Sequence, residues 1–280
     1  MVITGATSGI GYQTALQLAH KKYRLILVCR NMEKANLARN RILDEAPAAH
    51  IDLIHTDLSI QQQIRRAGSE IVQLTSKLDV LVNNAGTWNS QRKITEDGVE
   101  EVFAVNHLSY FLVTHLLYPL LALSENARII NLSSDSHFKG KMHFDDLSLE
   151  HNYHGLRSYA QSKLANVLFT YELDRLKPHQ NMVVHAVQPG LVKTDIGLKN
   201  TKWWHALAWK IRRSAGVSSQ EGAQTSVYLA TAEEVAATSA KYWDNYRIKP
   251  SSKDSYNPDH ARKLWEISAG LCSVDNYFSD

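Results

Sequence analysis

Short apolar runs alternate along this chain with segments in which apolar residues recur at helical spacing. The apolar runs predict buried strands near Val2 and over residues 23–29, 51–55, 78–82, 128–132, 182–187 and 240–243. The helical spacing predicts helices over residues 9–21, 32–45, 59–76, 98–123, 158–177 and 219–231. This alternation favours an α/β fold of one domain, a doubly wound parallel sheet with helices on both faces and right-handed crossovers.

Several polar or glycine-rich segments follow directly after predicted strands. They are residues 5–11, residues 83–86, Ser134 and the pair Pro189 and Gly190. In an open parallel sheet, ligands bind beyond the carboxyl ends of the strands. We therefore expect these segments to form one site.

The first of these segments has the pattern of a dinucleotide-binding turn of the Rossmann type. Gly5, Gly9 and Gly11 lie between a short apolar run and a helical pattern that continues through Ala15 and Leu18. Glycines permit a tight turn and the close approach of phosphates, and the helix N-terminus offers N–H groups to a pyrophosphate. Because the spacing G-x-x-x-G-x-G differs from the most familiar fingerprint, an ordinary tight turn is the alternative.

The end of the second predicted strand bears on the choice of cofactor. Arg30 lies 19 residues after Gly11 (30 − 11), where an NAD-binding chain carries an acid for the ribose 2′-hydroxyl, and no acid lies between Cys29 and Met32. An arginine here accommodates a 2′-phosphate. The sequence therefore favours NADP (NADPH) over NAD, with a solvated arginine at a strand end as the alternative.

Tyr159 and Lys163 form a candidate acid/base pair. They are four residues apart in a predicted helix and so share one face. A lysine ammonium is expected to lower the pKa of a neighbouring tyrosine from its usual value of about 10. Such a tyrosine could exchange a proton with a carbonyl or alcohol oxygen, whereas a surface tyrosine beside a solvated lysine is the alternative.

Taken together, these motifs resemble the short-chain dehydrogenase/reductase family, in family order over residues 1 to about 195. The resemblance includes residues 4–11 and 83–86, Asn106 in a helical run, a strand ending in Ser133 and Ser134, the Tyr159/Lys163 pair, and Pro189–Gly190. Finer features resemble the retinol-dehydrogenase-like branch: residues 162–170, residues 220–225, and the 25 residues (159 − 134) that separate Ser134 from Tyr159.

The resemblance implies roles for particular residues. Ser134, rather than Ser133, would be the catalytic serine, Tyr159 the acid/base, Lys163 its electrostatic partner, and Asn106 the holder of a water in the proton relay. The implied cofactor contacts are Gly5, Thr7, Ser8, Gly9, Ile10, Gly11, Arg30, Asp57, Leu58, Asn83, Ala85, Gly86, Tyr159, Lys163, Pro189, Val192 and Thr194.

The implied activity is NADP-dependent interconversion of a carbonyl and its alcohol. Residues 190–218 would form a substrate lid, and its Trp203, Trp204 and Trp209 favour a hydrophobic aldehyde, ketone or alcohol of retinoid-, steroid- or lipid-like character. The same stretch could be a packed amphipathic helix or a helix that contacts a membrane surface. The tail, residues 250–280, carries one helical pattern that would pack on the pocket or on a neighbouring subunit.

Two other functions remain as alternatives. A non-catalytic NADP-sensing or scaffold protein on the same fold would be expected to lack part of the catalytic set, which is complete here. An extended-branch epimerase or dehydratase would have another glycine spacing and a longer substrate domain. The oligomeric state is open, and a homodimer is one possibility.

Composition bounds the partners and the compartment. The formal net charge of +3 is too small to indicate nucleic acid. The two cysteines are too few for a disulfide framework and lack metal-site spacing, which fits a reducing compartment. Four histidines cluster in the loop before Tyr159, and they favour a polar loop over a metal site: His137, His143, His151 and His154.

The sequence also bears on membrane association. It shows no signal peptide, and its longest apolar run, residues 111–123, is too short to span a bilayer and predicts a buried helix. We therefore expect a cytoplasmic protein or one peripheral to a membrane. The retinol-dehydrogenase-like branch usually carries a hydrophobic anchor before the cofactor domain, but only three residues precede Thr4. Either the protein lacks the anchor, or the sequence lacks its first residues.

Overall fold

One sheet runs through the residues that the computed structural model describes, 1–190 and 218–278. Its strands are β1 (Val2–Thr4), β2 (Leu25–Cys29), β3 (Ile51–His55), β4 (Val80–Asn83), β5 (Ala127–Leu132), β6 (Met182–Gln188), β7 (Lys241–Asp244) and β8 (Arg247–Lys249). Their order across the sheet is β3-β2-β1-β4-β5-β6-β7-β8. All neighbouring pairs are parallel except β7 and β8. The strand order reverses between β1 and β4, where a doubly wound sheet opens a crevice for a ligand.

Helices cover both faces of this sheet, as the sequence predicted. They are α1 (Gly9–His20), α2 (Met32–Glu45), α3 (Gln61–Leu74), α4 (Glu101–Phe103), α5 (Ser109–Ala122), α6 (Gly155–Leu176), α7 (Ser219–Thr231) and α8 (Pro258–Leu271). Residues of α1, α2 and α7 form an apolar cluster on one face. Residues of α3, α5, α6 and α8 form another on the opposite face. The predicted Rossmann-type α/β fold is therefore confirmed.

Polar residues fix where several helices begin. Asn31 precedes α2 and its side chain accepts a hydrogen bond from the backbone N–H of Lys34. Ser218 and Glu221 form a reciprocal capping box at the start of α7. Because the first N–H groups of a helix have no partner within the helix, such side chains stabilise its N-terminus.

The helix predicted over residues 98–123 has an internal irregularity. Residues 101–122 are helical throughout, but the turn Ala104–Leu108 between α4 and α5 has π-helical hydrogen bonding. Such π turns occur mostly as single insertions and often at functional sites. This one contains Asn106, which the periodicity of the sequence could not reveal.

The hairpin of β7 and β8 was not predicted as such. Asn245 and Tyr246 connect the two strands, with φ angles of 48° and 62°. Two successive residues with positive φ are typical of a type I′ turn, whose twist matches that of paired strands. Only a strand near residues 240–243 was expected here, because β8 is three exposed residues with no apolar pattern.

The longest apolar run belongs to the core. Phe111, Leu117 and Leu121 of α5 are buried among the helices of one face. In residues 1–190 and 218–278, no helix is long and apolar enough to span a membrane.

Candidate active site

The loops after β1 and β4 are joined at the carboxyl edge of the sheet. The Oγ1 atom of Thr4 accepts hydrogen bonds from the backbone N–H groups of Asn84 and Ala85, each at 3.0 Å. The Nδ2 atom of Asn84 donates to the carbonyl of Thr4 at 2.7 Å. A Cβ atom on Gly5 would lie 2.8 Å from the Cα atom of Ala85, and the φ angle of Gly5 is 71°. Only glycine therefore fits at this crossing of the two loops.

The N-terminus of α1 fits a pyrophosphate. Its N-cap residue, Ser8, makes no capping hydrogen bond with its side chain to any described residue, and the first turn of the helix carries no acid. Ser8 is exposed, and Thr7, Gly9 and Ile10 are partly exposed. The start of the helix, which carries the positive end of the helix dipole, is thus open to solvent, and a phosphate needs such an environment. These residues fit the dinucleotide predicted from the glycine pattern.

Arg30 and Asp57 lie together at the next strand ends. Their charged groups are 3.6 Å apart, and the side chain of Arg30 is 64% exposed. Asp57 is fixed by hydrogen bonds from the backbone and hydroxyl of Ser59 to its Oδ1 atom. An exposed ion pair of this kind is weak, about 0–1 kcal/mol, so the guanidinium can turn to another anion.

Two predicted cofactor contacts have side chains that point into the protein. The side chain of Asn83 donates to the Oγ1 atom of Thr114 and to the Oδ1 atom of Asn131. Asn131 in turn donates to the Oγ1 atom of Thr170. Leu58 belongs to the apolar core under α3. Any contact of Asn83 or Leu58 with a cofactor would thus use the backbone.

The Lys163 side chain is buried beside Tyr159. Its Nζ atom donates to the carbonyl of Leu132 at 3.0 Å and lies 5.6 Å from the centre of the Tyr159 ring. The ring of Tyr110 lies on another side, at 5.8 Å. Gly86 is also near, since a Cβ there would lie 3.8 Å from Nζ and 3.4 Å from the Oδ1 atom of Asn106. The structure therefore brings the β4 loop and the predicted catalytic residues together.

The sequence predicted that Lys163 lowers the pKa of Tyr159, and for the polypeptide alone this direction is wrong. Burial raises the pKa of Tyr159 to about 12, and a hydrogen bond with Ser134 offsets only part of this rise. Burial also lowers the pKa of Lys163 to about 7. Removing both groups from water penalises their charged forms, and this penalty exceeds the attraction that the four-residue spacing suggested. Tyr159 is thus a protonated phenol at neutral pH.

The two serines after β5 have different surroundings. Ser133 is buried, and its hydroxyl donates to the backbone carbonyl of Lys163 at 2.8 Å. The hydroxyl of Ser134 faces Tyr159 and also interacts with the backbone N–H and hydroxyl of Ser136, at 3.2 and 3.3 Å. Ser134 is therefore the serine whose hydroxyl can share a substrate oxygen with Tyr159.

The side chain of Asn106 links the π turn to the loop after β4 and to α6. Its Oδ1 atom accepts from the backbone N–H of Thr87 at 2.7 Å. Its Nδ2 atom donates to the Thr87 carbonyl and to the hydroxyl of Ser162, which donates to the carbonyl of Tyr159. Asn106 thus holds the β4 loop and α6 together, and its contact with a relay water stays a prediction.

A buried carboxylate that the sequence did not single out supports this arrangement. Glu100 precedes α4 and accepts hydrogen bonds from the backbone N–H groups of Val102 and Phe103. It also accepts from the hydroxyls of Ser158 at 2.8 Å and Tyr153 at 3.3 Å. Ser158 adjoins Tyr159, so Glu100 connects the helix of Asn106 with the helix of Tyr159. The only sequence signal was an acid just before an apolar helical run.

The remaining predicted site residues follow β6 in the chain. Pro189 and Gly190 lie at the same sheet edge, at the end of the first described range, residues 1–190. Val192, Thr194 and the tryptophans of the predicted lid lie outside the described residues.

Within residues 1–190 and 218–278, no three His, Cys, Asp or Glu side chains are grouped to hold a metal ion. His137, which the sequence places in a polar loop, is buried.

The chain is similar to known proteins over nearly its whole length. A family model described as short chain dehydrogenase matches residues 1–204. Retinol dehydrogenase 13 from Homo sapiens is 38% identical over 98% of this chain and 85% of its own length. Retinol dehydrogenase 12 from Mus musculus is 35% identical over 98% of this chain and 86% of its own.

Solved structures share the fold. An uncharacterised protein from Mycobacterium Paratuberculosis has a TM-score of 0.77 at 29% identity, covering 97% of this chain and 92% of its own. An NADPH-bound carbonyl reductase from chicken fatty liver has a TM-score of 0.67 at 20% identity, covering 89% of this chain and 98% of its own. With these likenesses over the glycine turn and the residues around Tyr159, the chain belongs to the short-chain dehydrogenase/reductase family of oxidoreductases acting on CH–OH groups, in its retinol-dehydrogenase-like branch.

Proposed function

We propose that the protein is an NADP-dependent oxidoreductase that interconverts a hydrophobic carbonyl compound and its alcohol. The observation that carries the proposal is the juxtaposition of Ser134, Tyr159 and Lys163 at the sheet edge that also presents the open N-terminus of α1. Bound NADPH would supply the hydride. The chain's own residues would bind the substrate oxygen and deliver the proton.

In the reductive direction, Ser134 and Tyr159 would donate hydrogen bonds to the carbonyl oxygen as negative charge develops on it. Preorganised donors at such an oxygen contribute most where water is excluded. Because burial raises the pKa of Tyr159 to about 12, its phenol carries the proton that the product alcohol needs. Lys163 would stabilise the phenolate left behind and bind the nicotinamide ribose, whose arrival adds polar partners to its buried amine.

The preference for NADP rests on Arg30. Its guanidinium is exposed at the end of β2 and forms a weak ion pair with Asp57. A 2′-phosphate would offer charge-assisted, bidentate hydrogen bonds to this group. That the carbonyl reductase from chicken fatty liver is NADPH-bound supports the same cofactor.

The substrate class follows from the relatives and the lid sequence. The relatives named above are retinol dehydrogenases, so a retinoid-like aldehyde or alcohol is the first candidate. Steroid- or lipid-like carbonyls are also compatible with the tryptophan-rich stretch of the sequence.

The direct test is NADPH oxidation by the purified protein on a panel of hydrophobic aldehydes and ketones, retinal included. NADH and the variant Tyr159→Phe are run in parallel. We expect turnover with NADPH that is abolished in Tyr159→Phe, while the variant still binds NADPH. Tight NADPH binding without turnover on the panel would favour the non-catalytic, NADP-sensing alternative. Full activity of Tyr159→Phe would refute the assigned proton donor.

A further inference from the structure

His137 lies next to the catalytic serine and is fully buried. It belongs to the 3₁₀ turn Asp135–Lys139 that follows Ser134. Its Nδ1 atom is 2.7 Å from the carbonyl oxygen of Ser134, and its Nε2 atom is 3.0 Å from the backbone nitrogen of Ser252. A carbonyl only accepts and a backbone N–H only donates. The two contacts therefore place the proton on Nδ1, and His137 bridges the two backbone groups as a neutral ring.

Packing holds the ring in this orientation. The ring centre of Tyr242 in β7 lies 4.7 Å away, and that of Phe138 lies 4.1 Å away. Burial lowers the pKa of His137, which keeps the ring neutral. Both hydrogen bonds would be lost if the ring flipped, because carbon atoms would then take the places of Nδ1 and Nε2.

The segment that His137 contacts on its far side is itself attached to α6. The hydroxyl of Ser251 lies 2.7 Å from the hydroxyl of Tyr171 and 2.7 Å from that of Ser255. The hydroxyl of Ser255 donates to the carbonyl of Ser252 at 2.6 Å. Residues 251–256 thus connect the turn of Ser134 with the helix of Tyr159. They lie outside the region 1–204 that the family model matches.

We propose that His137 is a positioning residue for Ser134. It holds the Ser134 peptide by donating from Nδ1 to its carbonyl, and the contact of Nε2 with Ser252 fixes the orientation of the ring for that donation. The inference rests on the proposed function, since it explains how a catalytic Ser134 is placed. A misplacement of a reacting group by about 1 Å can cost on the order of 100-fold in rate.

Two substitutions separate positioning from packing. In His137→Asn, the shorter amide can still donate to the Ser134 carbonyl from the place of Nδ1, but it leaves a larger cavity. In His137→Gln, the longer amide fills more space and its oxygen can accept from Ser252, but the donor at the place of Nδ1 is lost. The control is His151→Gln, because the side chain of His151 is 90% exposed.

The measurements are kcat and KM with NADPH and an active carbonyl, the NADPH dissociation constant, and the melting temperature. We expect kcat to fall about tenfold or more in His137→Gln but less than about threefold in His137→Asn, with NADPH affinity within about twofold of wild type in both. The control should match wild type. A kcat that is lower in His137→Asn than in His137→Gln, or equally reduced in both, would show that only packing matters and would overturn the proposal.

A second measurement tests the His137 contacts and depends neither on enzyme activity nor on the folding of the variants. If the wild type shows no turnover, the proposed function fails, and the contact is judged by ¹⁵N NMR of the histidine rings at pH 7. A neutral His137 ring protonated at Nδ1 would support the bridge. A ring protonated at Nε2 or at both nitrogens would overturn it, whether or not the variants fold.

Discussion

The nucleotide end and the catalytic end of this site share one edge of the sheet but are held by different means. At the nucleotide end, residues 5–11 are contiguous and Arg30 is 64% exposed in its side chain. At the catalytic end, Lys163 is 3% exposed and its neighbours come from three distant segments of the chain, at Gly86, Tyr110 and Leu132. Solvent screens the charges at the first end, whereas desolvation sets the protonation states at the second. The same type of change should therefore have different consequences at the two ends.

Replacing the buried amine should have the largest effect. In Lys163→Met, we expect kcat to fall about 1,000-fold and NADPH to bind more weakly, because the phenolate of Tyr159 loses its stabilising partner. Steady-state kinetics and a fluorescence titration with NADPH measure the two effects. Lys139→Met, an exposed lysine near Ser134, serves as the control. A kcat within tenfold of wild type would mean that the catalytic end does not depend on this buried charge.

Loss of the buried carboxylate should be the next largest effect, and it should appear in stability. Glu100→Ala leaves two backbone N–H groups and the hydroxyl of Ser158 without their acceptor, whereas the hydroxyl of Tyr153 keeps the carbonyl of Asn89. We expect a loss of about 3 kcal/mol in the free energy of unfolding, measured by urea denaturation. The exposed Glu96→Ala should change it by less than about 0.5 kcal/mol. Equal effects of the two substitutions would contradict the role given to Glu100.

Removal of the exposed arginine should act on cofactor choice alone. We expect Arg30→Ala to reduce the preference for NADPH over NADH by about 10- to 100-fold, since charge-assisted hydrogen bonds to the 2′-phosphate are lost. The kcat/KM value for NADH should not change, and the wild-type preference should weaken as salt increases. Arg24→Ala removes an arginine paired with Asp52 and is the matched control. An unaltered preference would remove the basis for assigning NADP.

The smallest effect should be a loss of stability at acid pH, caused by the buried histidines His107 and His185. Burial lowers the pKa of His107 to about 3 and that of His185 to about 4. In the unfolded chain both groups take up protons near their usual pKa of about 6.5, so the unfolded state binds more protons as the pH falls below that value. The melting temperature should therefore fall from pH 7 to pH 5, with both histidines contributing. In His107→Gln the fall should be shallower, and an identical slope would show that His107 does not titrate on unfolding.

The α/β alternation, the starts of α1, α2 and α7 and the glycine turn were predictable because local patterns determine them. Apolar runs and helical spacing predicted β1 to β7 in their order along the chain. Parallel pairing of these strands was enough to predict that the segments after them lie at one edge of the sheet. The candidate residues Ser134, Tyr159 and Lys163 came from motif spacing. The structure brings them together at one edge of the sheet.

What the sequence could not supply depends on contacts between distant residues. The pKa of Tyr159 rises because α6 is buried, and no four-residue spacing contains that information. The π turn at Asn106 and the support from Glu100 and His137 likewise arise from side chains that meet only when the sheet edge and the C-terminal segment pack together. The sequence by itself determined most of the elements, their order along the chain and the candidate reacting groups, since these follow from local periodicity and residue chemistry. The tertiary structure decided burial and hydrogen-bond partners, because desolvation and hydrogen bonding depend on which distant segments lie within a few ångströms of each other.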